Sequence, residues 1–231
     1  MTYNFVQKPY KSARSRRLFQ AALLLGCAFG AITNAAAQRN APPTTPTDIT
    51  PPAGNSAFLL GHAVGTQGYV CLPKDTAASW TVNNARPEAT LFQNFFGREI
   101  QIITHFLSPD TNPNKAAPDP LAFGNATWQS SFDSSRVWAQ VLNGNTIPAG
   151  PANPSCPNTG AIACLLLQSI GSQAGPSGGS LLTRASFVQR LNTKGGSAPT
   201  DGCSVSTDVG KQTLVPYSAD YYFYRADAKY F

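Results

Sequence analysis

Thr127-Trp128-Gln129-Ser130-Ser131-Phe132, then Asp133-Ser134-Ser135, then Arg136-Val137-Trp138-Ala139-Gln140-Val141-Leu142: two runs rich in aromatic and β-branched residues flank three turn-forming ones. That arrangement is a β-hairpin signal. The same unit, a short apolar or alternating run closed by turn residues, recurs on both sides of it. Tyr69–Leu72 stops at Pro73. Ser79–Val82 and Ala89–Gln93 flank Asn83-Asn84-Ala85-Arg86-Pro87. Glu99–Leu107 breaks at Pro109, and Ile162–Ile170, Ser186–Leu191 and Tyr221–Arg225 complete the set. A helix competes only over Leu181–Leu191, and no 3.6-residue stripe exceeds two turns. The expected fold is mainly β: an antiparallel β-sandwich or barrel-like single domain with long loops.

Composition agrees with a folded domain. Of 231 residues, 42% are apolar but only 12% are charged, and Gly and Pro number 19 each. The net charge of +6 is misleading, because Lys8, Lys11, Arg14, Arg16 and Arg17 crowd a leader that contains no acid. From Gln38 onward, 12 basic residues face 11 acidic ones. A body so nearly neutral lacks the electrostatic footprint of a nucleic-acid binder.

Residues 1–37 read as an export signal peptide: a basic segment to Arg17, an apolar stretch Ala21–Ile32, and Ala35-Ala36-Ala37 as a cleavage site. The apolar stretch is too short to span a bilayer, so no transmembrane segment is expected in the mature chain. Ser15-Arg16-Arg17-Leu18-Phe19 resembles a twin-arginine export motif, against an ordinary basic region with two arginines. Leu24-Leu25-Gly26-Cys27 resembles a lipoprotein box, which would anchor the protein through Cys27, but Ala28–Ile32 stays apolar. The expected destination is periplasmic or extracellular. Gln38–Ser56, with five prolines, reads as a Pro-rich linker, and residues 57–231 as one β-rich domain. Ser108–Asn125, also Pro-rich, reads as a surface loop.

Four cysteines follow the leader: Cys71, Cys156, Cys164 and Cys203. An even count in an exported chain implies two disulfides with three possible pairings. Cys156–Cys164 with Cys71–Cys203 is the preferred one, because Cys156 and Cys164 bracket the turn Pro157-Asn158-Thr159-Gly160. No Cys-x-x-Cys pair supports zinc, and no metal is expected.

A series of short motifs is familiar in its order. It runs Gly65-Thr66-Gln67-Gly68-Tyr69-Val70-Cys71, Pro87-Glu88-Ala89-Thr90-Leu91-Phe92, Thr104-His105-Phe106 and Thr127-Trp128-Gln129. It continues with Val188–Gly196, Pro199-x-x-Gly202-Cys203 and Val215–Tyr224. Together they resemble the exported bacterial and fungal family catalogued as domain of unknown function 3455. That resemblance implies the fold but brings no established activity. A nicotinamide-dependent dehydrogenase is excluded by Gly171–Gly179, which contains Pro176 and lacks the Gly-x-Gly-x-x-Gly spacing, so no cofactor is expected.

No catalytic constellation emerges from the residues. Gly175-Pro176-Ser177-Gly178-Gly179 matches Gly-x-Ser-x-Gly formally, but no His follows Ser177 in the order such hydrolases need, and a flexible turn is the better reading. His62 and His105 are the only histidines. His105 is the stronger candidate, with Asp110, Asp133 or Glu88 as partner acids that no linear spacing singles out, and Trp128 among aromatics able to stack on a ligand, alongside Trp80, Trp138, Tyr217 and Tyr221–Tyr224. Candidate binding residues are therefore His105, Trp128 and Asp133. The expected function is a non-catalytic envelope or extracellular domain with a binding or structural role, its partner a carbohydrate or another cell-envelope component. The alternative is a secreted hydrolase or metal-dependent enzyme using His105. An open cleft around His105 and an acid would support the enzyme, and burial among apolar side chains would sink it. An exposed row of Trp and Tyr would support stacking on a sugar.

Overall fold

The computed structural model describes residues 41–82, 88–108 and 125–228, apart from the side chain of Asn143. The export signal, the Cys27 box, the Asn83–Pro87 turn and nearly all of the Ser108–Asn125 loop lie outside these. Among the described residues, helix is confined to one 3₁₀ turn, Thr47–Ile49, and none is long and apolar enough to cross a membrane.

Nine antiparallel strands follow: β1 Asn55–Lys74, β2 Ala77–Val82, β3 Glu88–Phe95, β4 Arg98–Ser108, β5 Asn125–Ser130, β6 Arg136–Ile147, β7 Cys164–Gln173, β8 Phe187–Gly195 and β9 Gln212–Ala226. Each strand from β3 to β9 pairs with the next, and β1 pairs with both β3 and β9. Eight strands thus close into a ring, while β2 folds back on the far end of β1 as a ninth. Of the two architectures the sequence left open, the β1–β9 pairing selects the barrel. Closure removes the exposed edges that an open sheet would have to protect. Both disulfides form as expected, Cys71–Cys203 and Cys156–Cys164.

An eight-stranded barrel is just wide enough for side chains to fill. Leu59, Ala63, Leu91, Ile103, Trp128, Val137, Leu167, Val188, Tyr221 and Phe223 share one buried cluster. Period-two alternation gives β9 its inward residues, Tyr217, Ala219, Tyr221 and Phe223. Tyr222 and Tyr224 lie on its other face. Both are buried in a second cluster with Ile49, Ile147, Leu166, Leu191 and the Cys156–Cys164 bridge.

Ile49 has no exposed surface, and this changes the reading of the Pro-rich stretch. From Thr45 on, that stretch lies against the barrel: the Gln189 amide donates to the Ile49 carbonyl, and the Tyr224 hydroxyl donates to Gln189 Oε1 at 2.7 Å. Asn55 and Ser56 already belong to β1. The prolines hold the chain extended while Ile49 supplies the apolar anchor. Over Leu181–Leu191 the strand wins from Phe187, and residues 181–184 form a turn.

The length of β1 was underread because its inward positions Gly61, Ala63 and Gly65 are small. A Cβ on Gly65 would lie 2.0 Å from the Glu88 carbonyl oxygen of β3. Gly65→Ala should therefore force the strands apart and cost about 2 kcal/mol, read as a lower urea midpoint at unchanged slope. An unchanged midpoint would mean that β1 and β3 do not approach this closely.

Candidate functional site

His105 lies on β4 directly opposite Trp128 on β5. Alternation turns both rings inward, where they stack with centroids 4.3 Å apart and planes 8° from parallel. Tyr221 leans against both rings, and Phe223 meets Trp128 edge-on. His105 is 5% exposed and Trp128 1%. His105 Nδ1 donates to the Thr127 carbonyl at 2.9 Å, which fixes the neutral tautomer with its proton on Nδ1. Desolvation pushes the imidazole pKa down to about 4; the Thr127 hydrogen bond opposes this, and the Arg190 charge adds to it. A surface groove of about 440 Å³ runs here, and His105 is among its lining residues together with Val64, Thr66, Glu88, Thr90, Thr104 and Phe106. The others face outward, whereas the imidazole is on the interior side. The candidate imidazole is thus buried against the core aromatics, which removes the open cleft that the enzyme reading needs.

The aromatics named beside His105 form no exposed row for a ligand. Trp138, Tyr217 and Tyr221–Tyr224 are all buried, and Trp80, half-buried, spends its indole N–H on the Asp201 carbonyl at 2.7 Å.

Asp133 does not approach His105 through any hydrogen bond or ion pair among the described residues; it ties two turns together. One carboxylate oxygen accepts from the Ser135 N–H at 3.1 Å and its hydroxyl at 2.7 Å, the other from the Leu181 N–H at 2.9 Å. Burial opposes the charge, but these bonds, with one from Ser130, outweigh it and hold the carboxyl at about 2. The Gly-rich loop fits over this turn: a Cβ on Gly175 would collide with the Asp133 carbonyl oxygen at 1.7 Å. Gly175–Gly179 is thus a packing device and not a nucleophile loop. Asp133→Ala should cost about 2 kcal/mol, since buried N–H donors lose their acceptor. Thermal unfolding at pH 7 checks this, and a loss below a few tenths would refute the tie.

The polar convergence lies on the outside of the barrel, around the other histidine. His62 of β1 and Asp220 of β9 are directly opposite in register, both facing outward. His62 Nδ1 and Asp220 Oδ1 are 2.6 Å apart, and Asn192 Nδ2 donates to Asp220 Oδ2 at 2.7 Å. The side chains are 54% exposed for His62 and 20% for Asp220. Asn192 reaches Asp220 because β8 breaks register between Leu191 and Lys194, and Asn192 takes φ of +51° there. Asn tolerates this left-handed conformation better than most residues, and bulges of this kind redirect side chains. Thr193, within the bulge, turns inward, donates to the Ile162 carbonyl and touches Cys156. Asn158, in the loop closed by Cys156–Cys164, donates to the Thr193 carbonyl at 2.8 Å.

The result is an open groove of about 480 Å³, floored by β1, β8 and β9 and walled by Pro157 and Asn158, with Lys194 and Ser218 beside the His62–Asp220 pair. No sequence signal marked it, since His62 and Asp220 are 158 residues apart and meet only when the barrel closes. Among the described residues no group of three His, Cys, Asp or Glu could hold a metal.

Fold and site together define a closed, disulfide-linked antiparallel barrel with a polar groove on its outer wall. The chain belongs to the family described as "Protein of unknown function (DUF3455)", whose model matches residues 52–225. No curated protein and no solved structure matches it.

Proposed function

We propose that this is an exported, non-catalytic domain that binds a carbohydrate or another cell-envelope component through the His62–Asn192–Asp220 groove. The observation that carries this reading is the convergence of three structural commitments on one open surface. These are the cross-strand His62–Asp220 pair, the left-handed bulge at Asn192 and the disulfide-closed wall at Asn158. Rigid, pre-positioned polar groups in a concavity are what a binding site requires. With the aromatics spent in the core, recognition there rests on hydrogen bonds and charge, not on ring stacking. Export is supported by the leader and by two disulfides, which persist in oxidising compartments. Periplasmic and extracellular release both fit the leader, and retention through a lipidated Cys27 is the variant of this reading that the Leu24–Cys27 box supports. The hydrolase reading built on His105 loses its geometry to burial.

Co-sedimentation with insoluble envelope material from the host tests the proposal. The wild-type protein should pellet, and the His62→Ala/Asn192→Gly variant, in which glycine keeps the left-handed bulge, should stay in the supernatant while keeping its unfolding free energy to within about 1 kcal/mol. Wild-type protein that stays in the supernatant, or a variant that pellets equally, overturns it.

A further inference from the structure

We infer that the ligand group held in this groove is an oxyanion, a carboxylate or a phosphate, gripped by Lys194 and Ser218 beside the free edge of His62; this rests on the groove being the binding site. The argument is a count of donors and acceptors. Among the described residues Asp220 is the only carboxylate lining the groove, and each of its oxygens already has a partner, one in His62 and one in Asn192. Asn158 has likewise committed its amide N–H to Thr193. What remains for a ligand is rich in donors. Lys194 makes no ion pair with a carboxylate among the described residues, and the Ser218 hydroxyl makes no hydrogen bond among them.

Lys194 and Ser218 are directly opposite in the β8–β9 register, while Ser218 and Asp220 share one face of β9 and Val64 stands opposite Ser218. The ammonium, the hydroxyl and the imidazole edge therefore border one patch of sheet. With its Nδ1 engaged by Asp220, His62 presents its Nε2 edge to the groove. A charge-assisted bond from the Lys194 ammonium, joined by one from the Ser218 hydroxyl, suits an oxyanion, whose oxygens accept several donors at once. A neutral polyol would leave the Lys194 charge without a counter-charge.

The probes are inorganic phosphate and acetate, titrated separately at low ionic strength, where screening is weakest, and followed by nitrogen-15 NMR on the disulfide-intact protein. At least one should shift the Asn192, Lys194 and Ser218 amides and the His62 ring saturably; which of the two binds more tightly identifies phosphate or carboxylate as the source. Lys194→Gln should weaken that binding about tenfold, the worth of one charge-assisted hydrogen bond. Lys74→Gln, at the exposed β1–β2 turn, should leave it unchanged. Absence of saturable shifts with either anion, or equal binding by Lys194→Gln, overturns the inference. If the anions fail while envelope material still pellets the protein through His62 and Asn192, the oxyanion assignment falls and the binding domain stands. If both fail, the groove is not the site.

Discussion

Removing the Cys71–Cys203 bridge should lower stability by about 5 kcal/mol, against about 3 kcal/mol for Cys156–Cys164. The difference follows from loop length. The first pair is 132 residues apart and the second eight, and the entropy a cross-link removes from the unfolded chain grows with the logarithm of the loop it closes. The long bridge also has a local role. Cys71 is fully buried on β1, and its N–H and carbonyl engage Lys211 and Gly210 just before β9. Through Cys203 it ties the 197–211 loop to the β1–β2 ribbon, where Trp80 takes the Asp201 carbonyl. Urea unfolding of Cys71→Ala/Cys203→Ala beside Cys156→Ala/Cys164→Ala decides the matter. Equal losses, or a larger one for the short loop, would show that unfolded-state entropy does not set the order. The short bridge has its own signature, because it holds Asn158 against the bulge: its loss should move the Asn192 and Lys194 resonances while leaving most of the barrel in place.

Loop closure is also where the sequence was easiest to read. Cysteines advertise themselves, and Cys156–Cys164 brackets a Pro-Asn-Thr-Gly turn, so the pairing could be inferred without knowing the barrel. Strands whose inward residues are large were similarly legible, as in β4, β6 and the end of β9. The first fourteen residues of β1 were not, because their inward positions carry Gly and Ala where β3 and the aromatic core crowd them. A period-two pattern vanishes when its apolar member has no side chain. Ile49 escaped for the opposite reason: a lone apolar residue among prolines looks like tether until Gln189 and Tyr224 receive it.

The burial of His105 and the exposure of His62 have a topological reason. His105 stood in an apolar strand beside likely-looking aromatics, and those very neighbours bury it. His62 stood between Gly61 and Ala63, an unpromising context, and faces solvent because those neighbours face in. The residues that give His62 its chemistry come from the other end of the chain through β8 and β9. Their approach depends on barrel closure and on a single bulge, neither of which has a local sequence mark.

The buried histidine nevertheless makes a sharp prediction about acid. An exposed imidazole in the unfolded chain titrates near 6.5, whereas His105 inside the barrel holds off protonation until about 4. Above pH 7 both states are neutral and stability is flat. As pH falls from 6.5 toward 4, the unfolded chain takes up a proton that the folded barrel refuses, so unfolding becomes easier; below 4 both states carry the proton and this contribution has been lost in full. The span of about 2.5 units corresponds to about 3 kcal/mol. Asp133 adds a separate loss between about pH 4 and 2, in the same direction, as its carboxyl is protonated in the unfolded chain before the folded one. Urea midpoints between pH 7.5 and 4 should therefore fall steeply for the wild type and for His62→Gln. His105→Phe, which keeps a ring against Trp128 but cannot titrate, should flatten the profile while shifting it as a whole by the cost of the lost Thr127 bond. A slope that survives in His105→Phe would place the titrating group elsewhere and would mean that the His105–Trp128 stack is open to water.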